Sequence, residues 1–453
     1  MNVWTLCRIG TSAPAIVLLG CATTGAGSYD AMRTDADRAV AGSRQQAEDD
    51  AALRGPTLER AAYVRAVLDR SRSIESARQA WRAAIARVRQ SGTFDDPMIA
   101  LEVAPLSIGS ANARFGWTGM VSQHLPWPGK LSLDETVSKA EADAQRSDFE
   151  AARRELALTA SLLYDDYFVA VRSIEINAHH VELMRSMHGA ALAQFEAGRA
   201  SAQDPLQAQF ELTHMEHDTV ILASQRDVTV AQMNELLHRE PELPLPPPPK
   251  DLPTRGAPDA ALGRLEGEAV DRRPDIAAAR EHARAEAARA DRAGREAYPD
   301  VTVSTSYNSM WDMPEHRWMV GLSFNLPVQT AHRRGAADEA DAMRAEYEAD
   351  AARMGDMART QVAVAFKRLE EASHVLHIFE EQLLPIARQQ VDAARAAFIA
   401  SQVPFGAAID AEKNLRGVEL DNQMARADYD RRRGELDRAL GRMPGLDGEE
   451  DAR

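Results

Sequence analysis

The sequence is poor in cysteine, in aromatic residues and in positive charge. Of its 453 residues only two are cysteines, Cys7 and Cys21. A disulfide framework, a thiolate zinc site and a downstream catalytic cysteine are therefore excluded. No run of about 18 uninterrupted apolar residues occurs, so no transmembrane helix is predicted in the mature chain. The formal net charge of −16 makes the chain a poor candidate for binding nucleic acid through its phosphates.

Apolar residues nevertheless make up 45% of the chain, which is enough for a large core. The length fits two or three ordinary domains or one long architecture. A glycine-rich phosphate loop is missing, and no Ser-His-Asp set can be argued from spacing. We therefore predict that the protein is not an enzyme and holds no cofactor.

The N-terminus has the pattern of an export signal. Residues 1–20 contain one basic residue, Arg8, followed by the short apolar run APAIVLLG and then Cys21. The run Leu-Leu-Gly-Cys resembles a bacterial lipobox, which implies that Cys21 is lipidated and becomes the mature N-terminus. The Ala22 that follows is typical of lipoproteins sorted to the outer membrane. The alternatives are an ordinary cytosolic start and a misassigned start codon.

Helical periodicity dominates the remainder of the chain. Residues 131–197 contain no proline, and 332–399 contain one, Pro385. At 1.5 Å per residue, about 65 helical residues span roughly 100 Å, a length typical of a coiled coil or a tube. Further helices are predicted at about 56–90, 202–239, 260–297 and 405–441.

The chain also repeats itself at a shift of about 202 residues. The matching positions are Trp117 with Trp318, Leu125-Pro126 with Leu326-Pro327, Phe195 with Phe398, and Leu212 with Leu415. The predicted segments are a signal peptide at 1–20, a lipid-anchored tether at 21–55, a first repeat at 56–239, a proline-rich connector at 240–259, a second repeat at 260–442 and a polar tail at 443–453.

Each repeat contains one predicted strand pair, at about 98–125 and about 300–326. Apolar and polar residues alternate along all four strands, as in Trp318-Met-Val-Gly-Leu-Ser-Phe324. This alternation fits a transmembrane β-barrel with an apolar exterior, and it equally fits a soluble sheet with one buried face. Open sheet edges are not tolerated in lipid, so strands in a membrane require several chains to share one barrel.

Four motifs in order resemble the outer-membrane efflux protein family, the TolC-like exit ducts. They are VSQHLPWPGK at 121–130, FEAGRASAQDPLQAQ at 195–209, NELLHR at 234–239 and VDRRPDI at 270–276. The resemblance covers about residues 56 to 442. It implies a mainly α fold with a small membrane β-barrel: four strands per chain in a 12-stranded barrel of a homotrimer, and long antiparallel helices forming a periplasmic α-barrel.

The resemblance also implies a function. The protein would be the outer-membrane channel of a tripartite efflux system, lipid-anchored and extending into the periplasm. It would passively export a substrate delivered by an inner-membrane pump and a periplasmic adaptor. The Leu-Pro-Trp-Pro-Gly-Lys junction at 125–130 favours the heavy-metal branch. Drug or organic-solute efflux, a type I secretion duct, and a periplasmic lipid-anchored coiled-coil scaffold remain alternatives.

The family implies site residues at the periplasmic end. The hairpin tips that would meet the adaptor carry Gly198, Arg199, Ser201, Ser401, Gln402 and Pro404. Ser401 stands where the first tip has Gly198, which predicts a second tip of different shape. Acidic side chains after the tips would narrow the tube. Asp410 and Asp204 are the gate candidates, whereas Ala407 replaces another family acid.

Histidine pairs at a spacing of three residues could bind a transition metal on a helix. They are His214 with His217 and His374 with His377, and His179, His180 and His188 lie nearby in sequence. Surface histidines with no ligand are the commoner arrangement on helices, so we predict no metal site.

Overall fold

The computed structural model of the chain describes residues 26–446, apart from 39–52, 54, 110, 112, 253–255, 257–259 and 401. The predicted signal peptide and Cys21 lie outside the described residues, as do most of the tether, Ser401 and the end of the tail. Within the part described, no helix is both long enough and apolar enough to cross a membrane.

The elements follow one another in an order that occurs twice. The first half contains α1 (Ala26–Arg38), α2 (Arg60–Arg70), α3 (Arg72–Ser91), β1 (Met98–Val103), β2 (Trp117–Leu125), α4 (Lys130–Glu196) and α5 (Gln203–Leu236). The second half contains α6 (Leu262–Arg272), α7 (Pro274–Gly294), β3 (Val301–Asn308), β4 (Trp318–Phe324), α8 (Thr330–Ile378), α9 (Leu384–Ile399) and α10 (Phe405–Ala439). From α2 onward, each element of the first half has its counterpart about 202 residues later.

Two predicted helices are each broken in two. The helix expected at about 56–90 begins at Arg60 and is interrupted at Ser71, whose ψ of 122° is extended. The helix expected at about 260–297 is interrupted 202 residues later at Arg273, with ψ of 125°. Proline disfavours helical geometry in the residue before it, which explains the break before Pro274. At the first break, the Ser71 hydroxyl instead caps α3 by accepting from the Ile74 amide.

The long helices differ between the halves. Helix α4 is continuous over 67 residues, which corresponds to about 100 Å. The expected helix at 332–399 is divided by a π-helical segment at Phe379–Leu383 into α8 and α9. Pro385 has no amide hydrogen to continue the α-helical pattern, and a wider turn before it accommodates the missing bond.

The four strands form one antiparallel sheet in the order β1-β2-β3-β4. The central pair, β2 with β3, joins the two halves of the chain. The register places the alternating apolar residues on the same face. Its rows are Ile99-Val121-Thr305-Val320, Leu101-Gly119-Tyr307-Trp318 and Gln123-Val303-Leu322.

A buried lysine ties the sheet to the helices. Lys130 begins α4 directly after the Trp-Pro-Gly turn, and only 1% of its side chain is exposed. Its Nζ donates to the Asp300 carboxylate at 2.9 and 3.1 Å, and to Glu296 at 3.3 Å. Asp300 also accepts from the Trp127 amide at 2.7 Å. A buried charge requires such partners, so the junction fixes the start of β3 against that of α4.

Candidate functional site

One face of the sheet is apolar and open to the surroundings. Val320 is 81% exposed, Ile99 79% and Leu322 64%, and Trp318 and Phe324 share the same face. Several large apolar side chains exposed next to one another mark a surface that contacts lipid or another protein. Serine, threonine and asparagine occupy half of the strand positions on the opposite face, so the sheet has one apolar and one more polar face.

The two halves end in hairpin tips at the other end of the long helices. In the first tip, Gly198 has a φ of +70°, and the Arg199 amide donates to the Gln194 carbonyl at 2.9 Å. In the second tip, the Gln402 amide donates to the Ala397 carbonyl at 2.8 Å. Both tips therefore close with the same hydrogen bond, although the sequence favours a different shape for the second. Arg199 and Gln402 are both exposed.

An apolar cluster packs the second tip onto the first hairpin, formed by α4 and α5. Phe405 and Ile409 at the start of α10 are its contribution from the second half. The first hairpin contributes Met184, Ala191, Ala208, Leu212 and Met215. The start of α10 is therefore held against α4 and α5 by buried side chains, while α9 packs mainly on α10 and on the π-helical segment, with Phe398 against the apolar cluster.

Polar contacts continue this attachment further along α10. Arg416 donates to the Asn177 side chain at 2.8 Å and to the Asp218 carboxylate at 2.9 Å. Lys413 donates to Glu211 at 2.8 Å. These bonds connect α10 of the second half with both helices of the first hairpin, and the side chain of Arg416 is only 17% exposed.

His180 belongs to the same attachment. Its Nε2 lies 3.0 Å from a Glu419 carboxylate oxygen, and its Nδ1 lies 3.9 Å from Glu412. Arg395 pairs with Glu412, and Arg388 lies 3.6 Å from Glu419. The hydrogen bond with His180 holds the pKa of Glu419 below its ordinary value.

The other histidines form no ligand cluster in the described residues. His214 and His217 are exposed, and each lies 3.6 Å from Asp218. Across the described ranges, no group of three or more histidine, cysteine, aspartate or glutamate side chains could hold a metal ion.

The gate candidates occupy different environments. Asp410 is exposed on α10, and it forms no ion pair with any described residue. Asp204 is half-buried in the first turn of α5. Asp421 lies 11 residues after Asp410 and therefore on the same face of α10.

We expect Arg416→Ala to loosen α10 from the first hairpin. The substitution leaves Asn177 and Asp218 without their cation, and a buried unsatisfied polar group costs about 1–3 kcal/mol. Hydrogen exchange of the α10 amides between 405 and 420 should then accelerate about 5- to 150-fold. Arg344→Ala removes an exposed arginine of α8 and is the matched control, which should leave this segment unchanged. Equal exchange in both variants would contradict a holding role for Arg416.

Known proteins are similar to this chain in sequence and in fold. The sequence model of the family "Outer membrane efflux protein" matches residues 265–442. Among curated proteins the chain has no match. The resemblance to the outer-membrane efflux protein family, predicted from the four motifs, is thereby confirmed.

Solved channel structures share the fold over most of the chain. The outer-membrane channel OprN matches with a TM-score of 0.70 and 20% identity, over 84% of this chain and 89% of that one. CusC, whose structures were solved in a study of folding and transmembrane channel formation, has a TM-score of 0.72 and 16% identity, over 86% of this chain and 94% of that one. The outer membrane protein VceC of Vibrio cholerae has a TM-score of 0.69 and 18% identity, over 84% and 95%. The predicted mainly α fold with a few antiparallel strands is confirmed.

Proposed function

We propose that this chain, similar to the outer membrane efflux proteins, forms the outer-membrane exit duct of a tripartite efflux system. A homotrimer would passively export a substrate that an inner-membrane pump and a periplasmic adaptor deliver. The observation that carries this proposal is the exposed apolar face of an antiparallel sheet whose two edges, β1 and β4, are unpaired among the described residues.

The edges of the sheet determine how many chains are needed. A sheet with unpaired edges cannot lie in lipid, because every backbone amide and carbonyl there must be hydrogen-bonded. Pairing β4 of one chain with β1 of the next removes both edges when the ring closes. Three chains give 12 strands, within the range of bacterial outer-membrane barrels. The apolar face would then contact lipid, and the polar face would line the lumen.

The helices support the same assembly at the tip end. There the described helices lie side by side in the order α5, α4, α10, α9, so that α5 and α9 are the outer members. Both carry exposed apolar side chains. On α5 these are Leu206, Phe210 and Val220, and on α9 they are Ile386 and Ile399. Helix α5 of one copy is therefore suited to contact α9 of the next copy, and repeating this contact would close a tube.

The remaining parts of the proposal concern the two ends of the molecule. Lipidation at Cys21 would anchor the chain to the outer membrane, since two acyl chains give stable attachment. The tips, with Gly198, Arg199 and Ser201 in the first and Ser401, Gln402 and Pro404 in the second, would contact the adaptor. Their exposure, where the structure describes them, supports this role.

Imaging and conductance together test the proposed duct. The protein is extracted in mild detergent, imaged as single particles and then reconstituted into planar bilayers. We expect a three-fold tube well over about 100 Å long with a detergent belt at one end. We also expect a stable ionic conductance. A soluble monomer or a solid rod without conductance would contradict the duct and favour a lipid-anchored helical scaffold.

We expect Asp410→Asn to reduce the cation preference of the channel. Three copies of Asp410 would form a ring of carboxylates that concentrates cations. Losing an interaction of about 1 kcal/mol should lower the cation-over-anion permeability ratio about fivefold. Reversal potentials across a salt gradient measure this ratio, and Asp204→Asn examines the second candidate in the same way. Glu182→Gln, which removes an exposed carboxylate of the first hairpin, should change little. An unchanged ratio for Asp410→Asn would remove it from the gate.

We propose heavy-metal ions as the substrate class, because the junction Leu-Pro-Trp-Pro-Gly-Lys at 125–130 resembles that of the heavy-metal branch. The last residue of this junction is Lys130, which donates to Asp300. A strain that lacks the protein should accumulate heavy-metal ions and become sensitive to their salts. Sensitivity restricted to organic drugs, or failure to secrete a protein, would assign the duct to the other substrate classes instead.

A further inference from the structure

The loop between β1 and β2 exposes apolar side chains at the end of the sheet that lies away from the helices. Leu106 is 94% exposed, Ile108 64% and Phe115 52%. This loop contains a single charged residue, Arg114. The loop between β3 and β4, at the same end of the sheet, instead contains Asp312, Glu315, His316 and Arg317. The two loops are therefore suited to different surroundings.

The β1–β2 loop pairs polar groups of its own backbone. It begins with a single 3-10 turn whose first residue, Pro105, has no amide hydrogen. The amides of Ser107 and Ile108 donate to the carbonyls of Ala104 and Pro105 at 3.0 and 3.2 Å. The Ser107 hydroxyl donates to the Ala104 carbonyl at 2.6 Å and accepts from the Gly116 amide at 2.9 Å. Lipid offers no hydrogen-bond partners, so a turn that pairs its polar groups internally and exposes apolar side chains is suited to lipid.

Strand β1 is too short to cross an apolar layer by itself. It has six residues, which extend about 20 Å along the strand. A tilt of about 40° reduces this to a height of about 15 Å, whereas the apolar band of an outer-membrane barrel is about 25 Å tall. Just before β1 lie Asp95 and Asp96, which are both exposed. Because exposed carboxylates do not extend an apolar band, the missing height at this edge must come from the loop end, where Leu106 and Ile108 lie.

The loop continues directly from the apolar face of the sheet. Val103 pairs with Trp117 in the last row of β1 and β2, and this row belongs to the apolar face. We propose that the turn Pro105–Ile108 inserts into the outer leaflet of the membrane and binds lipid acyl chains. The inference rests on the proposed duct, in which the apolar face of the sheet contacts lipid. Each chain contributes one such turn, so three turns hold the rim of the barrel at the depth of the outer leaflet.

A spin label on an introduced cysteine tests the insertion. Ile108→Cys is labelled with a nitroxide, and the protein is reconstituted into vesicles of phosphatidylethanolamine and phosphatidylglycerol. Collisions of the label are measured with molecular oxygen, which concentrates in lipid, and with a nickel chelate, which stays in water. The natural cysteines are Cys7 and Cys21 only, and the wild type carried through the same labelling measures their background. We expect oxygen to reach the label at position 108 and nickel to be excluded from it.

Two further single-cysteine variants provide the controls. Met313→Cys places the label in the charged β3–β4 loop, at a residue whose exposure of 61% matches the 64% of Ile108. Ile99→Cys places the label on the apolar face of the sheet, at a residue that is 79% exposed. The ratio of oxygen to nickel collisions at position 108 should equal that at position 99 and exceed that at position 313 several-fold.

The controls separate the inserted turn from the proposed duct. If the label at position 108 responds like that at position 313 while position 99 lies in lipid, the insertion is overturned and the duct remains. A label at position 108 that is shielded from both oxygen and nickel also overturns the insertion, because the turn then contacts a neighbouring copy. Free access of nickel to position 99 would contradict the proposed function, since the apolar face would then lie in water.

Discussion

Arg60→Met should destabilise the protein by about 3–5 kcal/mol at pH 8, because it removes the cation from a buried ion cluster. Arg60 on α2 pairs with Asp165 on α4, and it donates to Asp430 on α10 at 2.8 Å. The side chain of Asp165 is fully buried and that of Asp430 is 5% exposed. Without Arg60, two carboxylates share this buried site with no cation between them.

The destabilisation caused by Arg60→Met should become smaller as the pH falls. Burial raises the pKa of Asp165 to about 7, against the attraction of Arg60. A carboxyl whose folded pKa is raised binds a proton more tightly in the folded than in the unfolded state. Protonation therefore adds stability as the pH falls through about 7 toward the unfolded value near 3.8. Losing Arg60 removes a charge that opposes protonation, so the variant should recover more stability than the wild type between pH 8 and pH 5.

Denaturant midpoints of the detergent-solubilised protein at the two pH values measure both effects. Arg353→Met is the matched control, because Arg353 is 58% exposed and pairs with an equally exposed Asp350. Exposed pairs contribute little, so this control should stay within about 0.5 kcal/mol of the wild type at either pH. If Arg60→Met equals this control at pH 8, the cluster does not stabilise the fold.

Val320→Arg should prevent the protein from assembling in the outer membrane. Val320 lies in the middle of β4 on the exposed apolar face, opposite Thr305. An arginine on the lipid face near the bilayer midplane costs about 2–4 kcal/mol, and a trimer would incur this cost three times. We expect the variant to be lost from membrane extracts or to be recovered as aggregates and monomers.

Ser323, three residues further along β4, provides the comparison. It lies on the same strand, but it faces the polar side, opposite Thr302. Ser323→Arg should assemble normally, and any change should appear in conductance. Size-exclusion chromatography of the detergent extract separates the outcomes. Normal assembly of Val320→Arg would show that the apolar face does not contact lipid.

The strands and long helices could be predicted from local patterns. Alternation along 318–324 determines which side chains share a face, and the lack of proline in 131–197 leaves α4 uninterrupted. The break at Ser71 could not be predicted in this way, because serine is common inside helices and only its capping role reveals the interruption. The π-helical turn at 379–383 within the predicted helix 332–399 could not be predicted from Pro385, because proline does not determine how the preceding turn accommodates the missing bond.

The attachment between the hairpins lay beyond sequence reasoning for another reason. His180 and Glu419, or Arg416 and Asn177, are each separated by 239 residues. Their pairing follows from how α4 and α10 pack, and neither residue type indicates a partner on its own. The sequence therefore predicts His180 to be a surface histidine like the others, whereas its side chain is only 2% exposed.

The pairing of β2 with β3, here called a seam because it joins the two repeats, has a consequence for symmetry. It joins the second strand of one repeat to the first strand of the next within a single chain. In the proposed trimer, β4 meets the β1 of a neighbour in the same relation, so seams inside and between chains alternate around the ring. The assembly would then have six nearly equivalent units, and a half-length ancestor would close the same ring as a hexamer. Duplication and fusion would let two sets of tips diverge while the wall of the barrel kept its geometry.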